Sequence, residues 1–314
     1  MIAIAIAFAQ YGPPDVLQPI SWDPPAAAAG EVRVRMLAAG VAPVDAKLRA
    51  GLLQAHFQPP LPKIPGRDGV GVVEQIGTDV THVKVADAVC LMVDPLGPGT
   101  YAQTVTCSAQ RVIARPAGLT TQQAAALLQP ATSAWIAVME TAQVKSGMRV
   151  LVHGGAGAVG SQLVQLCRHL GAEVTATCRE TNRDYVQGLG ASRAIAYDGA
   201  HDFGDLRDLD VVFDLIGGET HARSYPVLRK GGHLVYLTAA PITDLSAQYS
   251  VRTSRALIAD SRHVLQAVVD LASQGVLQPR VAASFALIDA ARAHAALEAG
   301  QITRGRVVLD IAAP

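Results

Sequence analysis

Residues 149–171 read RVLVHGGAGAVGSQLVQLCRHLG, and no other stretch narrows the fold as far. The aliphatic run Val150-Leu151-Val152 predicts a strand. The chain then turns through Gly154, Gly155, Ala156, Gly157, Ala158, Val159 and Gly160. Behind the glycines, Leu163, Leu166, Cys167 and Leu170 recur at spacings of three and four, which predicts one apolar helix face. Strand, glycine loop and helix in this order make the context that dinucleotide binding requires. Gly155 is expected to make the tight turn, Gly157 to admit a pyrophosphate close to the backbone, and Gly160 to pack the helix closely. The helix N-terminus then offers unpaired N–H groups and the positive end of its dipole to the phosphates.

A glycine pattern alone is weak, and the chain beyond it carries the argument. Further strands are expected at residues 173–178, 194–197 and 210–216, the last a near-continuous apolar run suited to burial on both faces. A helix is expected at 219–228, a fifth strand at 233–238 and a sixth at 249–257.

The flanks differ. Residues 1–118 hold strand patterns at 2–8, 31–36, 70–76, 83–93 and 101–105, punctuated by Gly and Pro, which suggests a barrel or sandwich. A helix opens at Thr120, is expected to break at Pro130, and resumes over 132–141. After a helix at 262–274 come a strand at 281–288, a helix at 290–297 and a last strand at 307–311. The pattern is α/β, with a doubly wound parallel sheet over residues 119–258 inserted between residues 1–118 and a return segment, 259–314.

Charge narrows the function. Twenty-six basic residues balance 26 acidic ones and aromatics make up 4%, so nucleic acid is not an expected partner. No apolar run reaches the roughly eighteen residues that would span a membrane, and the N-terminus lacks a basic leader. Cys90, Cys107, Cys167 and Cys178 form no CxxC pair and read as core residues of a cytoplasmic protein.

Taken together the motifs resemble the medium-chain dehydrogenase/reductases, in their zinc-free quinone oxidoreductase (zeta-crystallin-like) branch. The similar segments are Gly40-Val-Ala-Pro-Val-Asp-Ala-Lys47, Pro65-Gly-Arg-Asp-Gly-Val-Gly71, Gly99-Thr-Tyr-Ala102 and Thr132-Ser-Ala-Trp135. The GGAGAVG loop, Gly188-Leu-Gly-Ala191, Asp210-Val-Val-Phe-Asp214 and Arg304-Gly-Arg-Val-Val-Leu309 follow in the family's order. The resemblance implies a GroES-like β-barrel catalytic domain around a Rossmann domain, a small-molecule substrate in the cleft between them, and a homodimer through the edge strand near 249–257. Zinc-dependent relatives carry three metal ligands where this chain has Ala42, Arg67 and Gln129, a set that offers no ordinary Zn²⁺ donor, so no metal is expected.

The same resemblance implies the nucleotide. The position that binds the ribose hydroxyls in NAD enzymes falls on Cys178, followed by Arg179, with Arg183 one turn on. Both arginines suit a 2′-phosphate, so NADPH is the expected cofactor, with Tyr197 against the adenosine phosphate. A one-residue shift would instead give Glu180 the NAD role. Gly217, Thr238 and Ser133 complete the expected cofactor contacts, and Ala42, Pro43, Asp45, Lys47 and Arg67 the substrate pocket. Ala42 stands where relatives commonly have Asn. Without a Lewis acid, hydride goes to acceptors that are already electron-poor: quinones or α,β-unsaturated carbonyls. Lys47, Arg67 and Tyr101 are the candidate donors to the developing oxyanion, and Asp45 and Asp68 the expected loop anchors. A nucleotide-binding protein with little turnover is the second reading.

Overall fold

The computed structural model describes residues 3–55, 57–198, 203–238 and 240–311, so Ile2 of the first expected strand lies outside them. The chain divides into two compact units: Met1–Gln129 with Asp260–Ser273 and Pro279–Pro314, and Pro130–Ala259 with Gln274–Gln278.

The first unit opens with β1 (Ile4–Ala7), β2 (Gln18–Ser21), β3 (Glu31–Val41), α1 (Pro43–Arg49) and β4 (Asp68–Ile76). It continues with β5 (Ala88–Met92), β6 (Thr104–Ser108), β7 (Val112–Ala114) and α2 (Thr121–Ala125). Val32, Val34 and Met36 alternate inward along β3, so the charged residues between them face outward. Pro43, in the first turn of α1, needs no N–H partner there. Thr120 caps α2, its hydroxyl accepting from the Gln123 N–H, and Gln123 reaches back to the Thr120 N–H.

The second unit holds most of α3 (Leu128–Trp135), then β8 (Arg149–Val152), α4 (Ala158–His169) and β9 (Glu173–Cys178). After these come α5 (Arg183–Gly188), β10 (Arg193–Ala196), β11 (Leu209–Asp214), α6 (Gly218–Arg223), β12 (Leu228–Tyr236), α7 (Ser246–Tyr249) and β13 (Arg252–Arg255). The parallel sheet runs β10-β9-β8-β11-β12-β13, so the strand order reverses at β8 and β11. Ligands bind such sheets beyond the carboxyl ends of the strands at that reversal. Val150, Leu151 and Val152 are all fully buried, as a central parallel strand requires.

The chain returns to the first unit with α8 (Arg262–Ser273), β14 (Val281–Ala286), α9 (Ala290–Glu298) and β15 (Arg306–Asp310). Its main sheet runs β14-β15-β3-β4-β5-β7, with β6 also paired to β3. The inserted parallel sheet and the flanking β-rich unit are as expected.

Two local expectations are corrected. Pro130 does not break a helix: the gap falls at residues 126–127, and Pro130 sits in the first turn of α3, where its missing N–H costs nothing. The helix expected over 219–228 stops at Arg223, because Pro226 follows closely and Leu228 already pairs as strand with Leu209. Among the described residues no helix is long and apolar enough to cross a membrane.

Candidate active site

The glycine loop leaves β8 at His153 and turns at Gly154, which takes φ +69°. The left-handed step thus falls on Gly154, one residue before the Gly155 expected from the sequence. Gly155 has a different reason to be glycine: a Cβ there would come within 2.7 Å of the Ala176 Cβ on β9. A Cβ on Gly160 would lie 2.1 Å from the Gly154 carbonyl oxygen. Gly157 is the exception, for an added Cβ would meet nothing closer than 3.4 Å. No side chain lies within 4 Å of that added Cβ, only the Gly154 carbonyl oxygen in ordinary contact, at the N-terminus of α4, where Gly157 is the N-cap and no side chain caps the helix. An open cradle at an uncapped helix N-terminus fits the pyrophosphate of a dinucleotide.

The other expected cofactor residues follow neighbouring strands. Arg179 and Tyr197 lie just past the ends of β9 and β10, where the Tyr197 N–H donates to the Cys178 carbonyl (3.0 Å). Tyr197 is 57% exposed, and the guanidinium of exposed Arg179 has no partner among the described residues. Arg183 is engaged by the Glu180 carboxylate (3.1 Å), and the Glu180 N–H donates to Asp198 (2.8 Å). Gly217 and Thr238 come together after β11 and β12: a Cβ on Gly217 would lie 3.0 Å from the Thr238 Cγ2. Ser133 is buried in α3.

Asp214 orders the loop before Gly217. Its carboxylate accepts the N–H groups of Ile216 (2.8 Å) and Gly217 (2.9 Å) and faces the Nδ1 of His221 (2.8 Å). Burial alone would push this carboxyl up, but the bonds from His221, Gly217 and Ile216 prevail and hold it below the usual carboxylate range. Asp214 belongs to a motif legible in the sequence; nothing there pointed to His221.

In the first unit, Ala42 is the N-cap of α1, and Asp45 reaches back to accept its N–H (2.8 Å). The Tyr101 hydroxyl lies 3.3 Å from the Asp45 Oδ2 and 3.1 Å from the His294 Nε2. Burial pushes the Asp45 carboxyl up to about 6 despite the Ala42 N–H. Tyr101 is fully buried, with its hydroxyl facing Asp45 and His294. Asp45 likewise anchors a loop rather than facing solvent, whereas Pro43 and Lys47 are exposed. Arg67 is folded back onto the protein, donating to the Val93 carbonyl and to Asp260 (3.3 Å), whose same oxygen Arg111 contacts at 3.3 Å. Asp260 carried no signal in the sequence.

Two family models match the chain: "alcohol dehydrogenase GroES-like domain" over residues 28–117 and "zinc-binding dehydrogenase" over 189–309. A quinone oxidoreductase of Pseudomonas aeruginosa is 30% identical over 98% of this chain and all of its own. This chain belongs to the quinone oxidoreductase branch of the medium-chain dehydrogenase/reductases. It is therefore an oxidoreductase of a nicotinamide-dependent superfamily. Another member, a 2-haloacrylate reductase of a Burkholderia species, is 31% identical over 89% of this chain and 90% of its own. The quinone oxidoreductase of Escherichia coli, solved with NADPH, superposes with a TM-score of 0.89 at 27% identity, covering 98% of this chain and all of that one.

The donor set does not fit the zinc that one family description names. Ala42 has no donor atom, and Arg67 is a cation held by Asp260. The Gln129 side-chain oxygen accepts from Arg306 (2.8 Å). That guanidinium, bonded to Asp68 on both arms, brings positive charge to the third position. Among the described residues no cluster of His, Cys, Asp and Glu could hold a metal ion.

Proposed function

We propose that this oxidoreductase uses NADPH to reduce a quinone or the activated C=C bond of an α,β-unsaturated carbonyl, without a metal. The observation that carries the NADPH reading is Arg179, exposed and with its guanidinium unpartnered among the described residues, one residue past the end of β9. A 2′-phosphate there would gain charge-assisted bonds that a ribose hydroxyl cannot match. Glu180, the residue that would favour NADH, has its carboxylate on Arg183.

Bound reduced nicotinamide supplies the hydride. The uncapped α4 N-terminus would hold the phosphates, Arg179 and Tyr197 would bind the adenosine 2′-phosphate, and Asp214 fixes the Gly217 turn. Ser133 and Thr238 complete the cofactor contacts. Ala42, Pro43, Lys47 and Arg67 line the substrate pocket, where Lys47 and Arg67 can stabilise a developing oxyanion. Water supplies the proton. The first compact unit is then the catalytic domain and the second the cofactor domain. β13, with β12 as its one sheet partner among the described residues, is the edge proposed for a homodimer, and four free cysteines suit a reducing cytoplasm.

Oxidation of NADPH and NADH, followed at the nicotinamide absorbance band with a panel of quinones and enones, tests the proposal. Turnover with NADPH well above NADH is expected. Equal or better use of NADH overturns the cofactor assignment, and tight NADPH binding with no acceptor reduced would make the protein a nucleotide-binding sensor.

A further inference from the structure

His153 directly follows the strand that feeds the glycine loop, yet its side chain is buried in the protein. It is 1% exposed, and its ring packs edge-on against Phe203 at a centroid distance of 4.6 Å. Its Nδ1 lies 3.2 Å from the Thr177 hydroxyl on β9, and its Nε2 lies 3.0 Å from the Ser224 hydroxyl. Thr177 and Ser224 are buried as well.

The protons in this group can be placed one by one. Ser224 lies 2.6 Å from the Thr220 carbonyl oxygen, which only accepts, so the Ser224 proton points there. The Ser224 oxygen therefore accepts from His153, and Nε2 carries the hydrogen. Burial pulls the His153 imidazolium pKa down to about 4, so the ring is neutral and its Nδ1 is bare. A bare Nδ1 accepts, so the Thr177 O–H points at it. That leaves the Thr177 lone pairs for the Gly154 N–H, 3.2 Å away.

The loop needs such a pin. Three of the four residues 154–157 are glycine, and Gly154 adopts a left-handed φ that glycine holds only loosely. Thr177 grips both leading glycines, accepting the Gly155 N–H with its carbonyl (2.8 Å) and the Gly154 N–H with its hydroxyl. A hydroxyl can rotate; His153 stops it.

We propose that His153 is a positioning residue for dinucleotide binding: by orienting the Thr177 hydroxyl it locks the Gly154 N–H and presets the glycine loop for phosphate. This rests on the dinucleotide reading above. Neither His153 nor Thr177 is assigned a contact with the cofactor. Their effect is to remove loop freedom that binding would otherwise have to freeze.

The test is NADPH affinity, by fluorescence titration, of the full-length H153F, T177V, T177S and H153F/T177V variants, alongside thermal unfolding without cofactor. T177V and H153F are each expected to raise Kd about tenfold. The double variant is expected to be no weaker than either single, and T177S, which keeps the hydroxyl, to bind within about twofold of the wild type. A purely structural role would lower the unfolding temperature while leaving Kd unchanged, and that result overturns the proposal, as does additivity in the double variant. Should H153F fail to fold, the T177V/T177S pair decides, and equal affinities there refute it. If the wild type binds neither NADPH nor NADH, it is the dinucleotide reading itself that falls.

Discussion

Arg306 and Asp68, 238 residues apart in sequence, meet in a buried bidentate ion pair with both N···O contacts at 2.6 Å. The guanidinium also donates to the Val41 carbonyl (3.3 Å) and to Gln129, and Asp68 accepts the Gln129 N–H (2.9 Å). It fills the space beside Gly40, where a Cβ would sit 2.3 Å from the Arg306 Cζ. One cluster thereby joins β3, β4, the start of α3 and β15.

Breaking that pair from one side should be costly. Asp68→Asn leaves a buried guanidinium without its counter-charge, and a loss of about 3–5 kcal/mol is expected in denaturant unfolding. Arg306→Lys should not restore it, because an ammonium cannot span both carboxylate oxygens.

The glycines of the loop should separate by experiment. Gly160→Ala and Gly155→Ala strike backbone and Ala176 respectively, so each should lower the unfolding temperature without ligand. Gly157→Ala meets only an ordinary contact, the Gly154 carbonyl oxygen at 3.4 Å, so it should leave unfolding nearly unchanged yet weaken NADPH binding, which a titration beside a melt will show.

Arg179→Ala should weaken NADPH by about 1.5–3 kcal/mol while leaving NADH affinity nearly unchanged. Arg183→Ala should do less, since Arg183 is shared with Glu180. Direct titration of both nucleotides against both variants checks the ranking.

Stability should fall in acid, and the sign follows from burial. Burial holds His153 down to about 4 and His294 to about 3, from the usual 6.5. The unfolded chain takes up those protons first, so the stability they lend is present above pH 6.5 and lost as pH falls toward 4 and then 3. For His153 alone the loss by pH 4 is on the order of 3 kcal/mol. Asp45 opposes the trend: raised from 3.8 to about 6, it favours the folded state at low pH and loses that contribution as pH rises through about 6. Thermal melts across this range should therefore drop toward acid, and Asp45→Asn should make the drop steeper.

Much of this architecture was legible locally. The strand, glycine loop and helix of residues 149–171 showed themselves because hydrophobic spacing and glycine placement are short-range signals. β9, expected at 173–178, is observed at Glu173–Cys178. The alternation in β3 marked its buried face in the same way. Boundaries differ from the local pattern where a proline acts through the turn it occupies, as at Pro130 in the first turn of α3, and not through its mere presence.

The sequence by itself determined the order of strands and helices, the glycine loop and the lack of zinc donors at residues 42, 67 and 129, because each is written in neighbouring residues or in residue type. Only the tertiary structure decided that Tyr101 is sealed against Asp45 and His294, that Arg67 is tied to Asp260, that Arg306 closes on Asp68, and that His153 reaches Thr177 and Ser224. Those partners lie far apart along the chain, so no periodicity announces them. They are selected because a polar group removed from water must find a partner, and the fold determines which one is within reach.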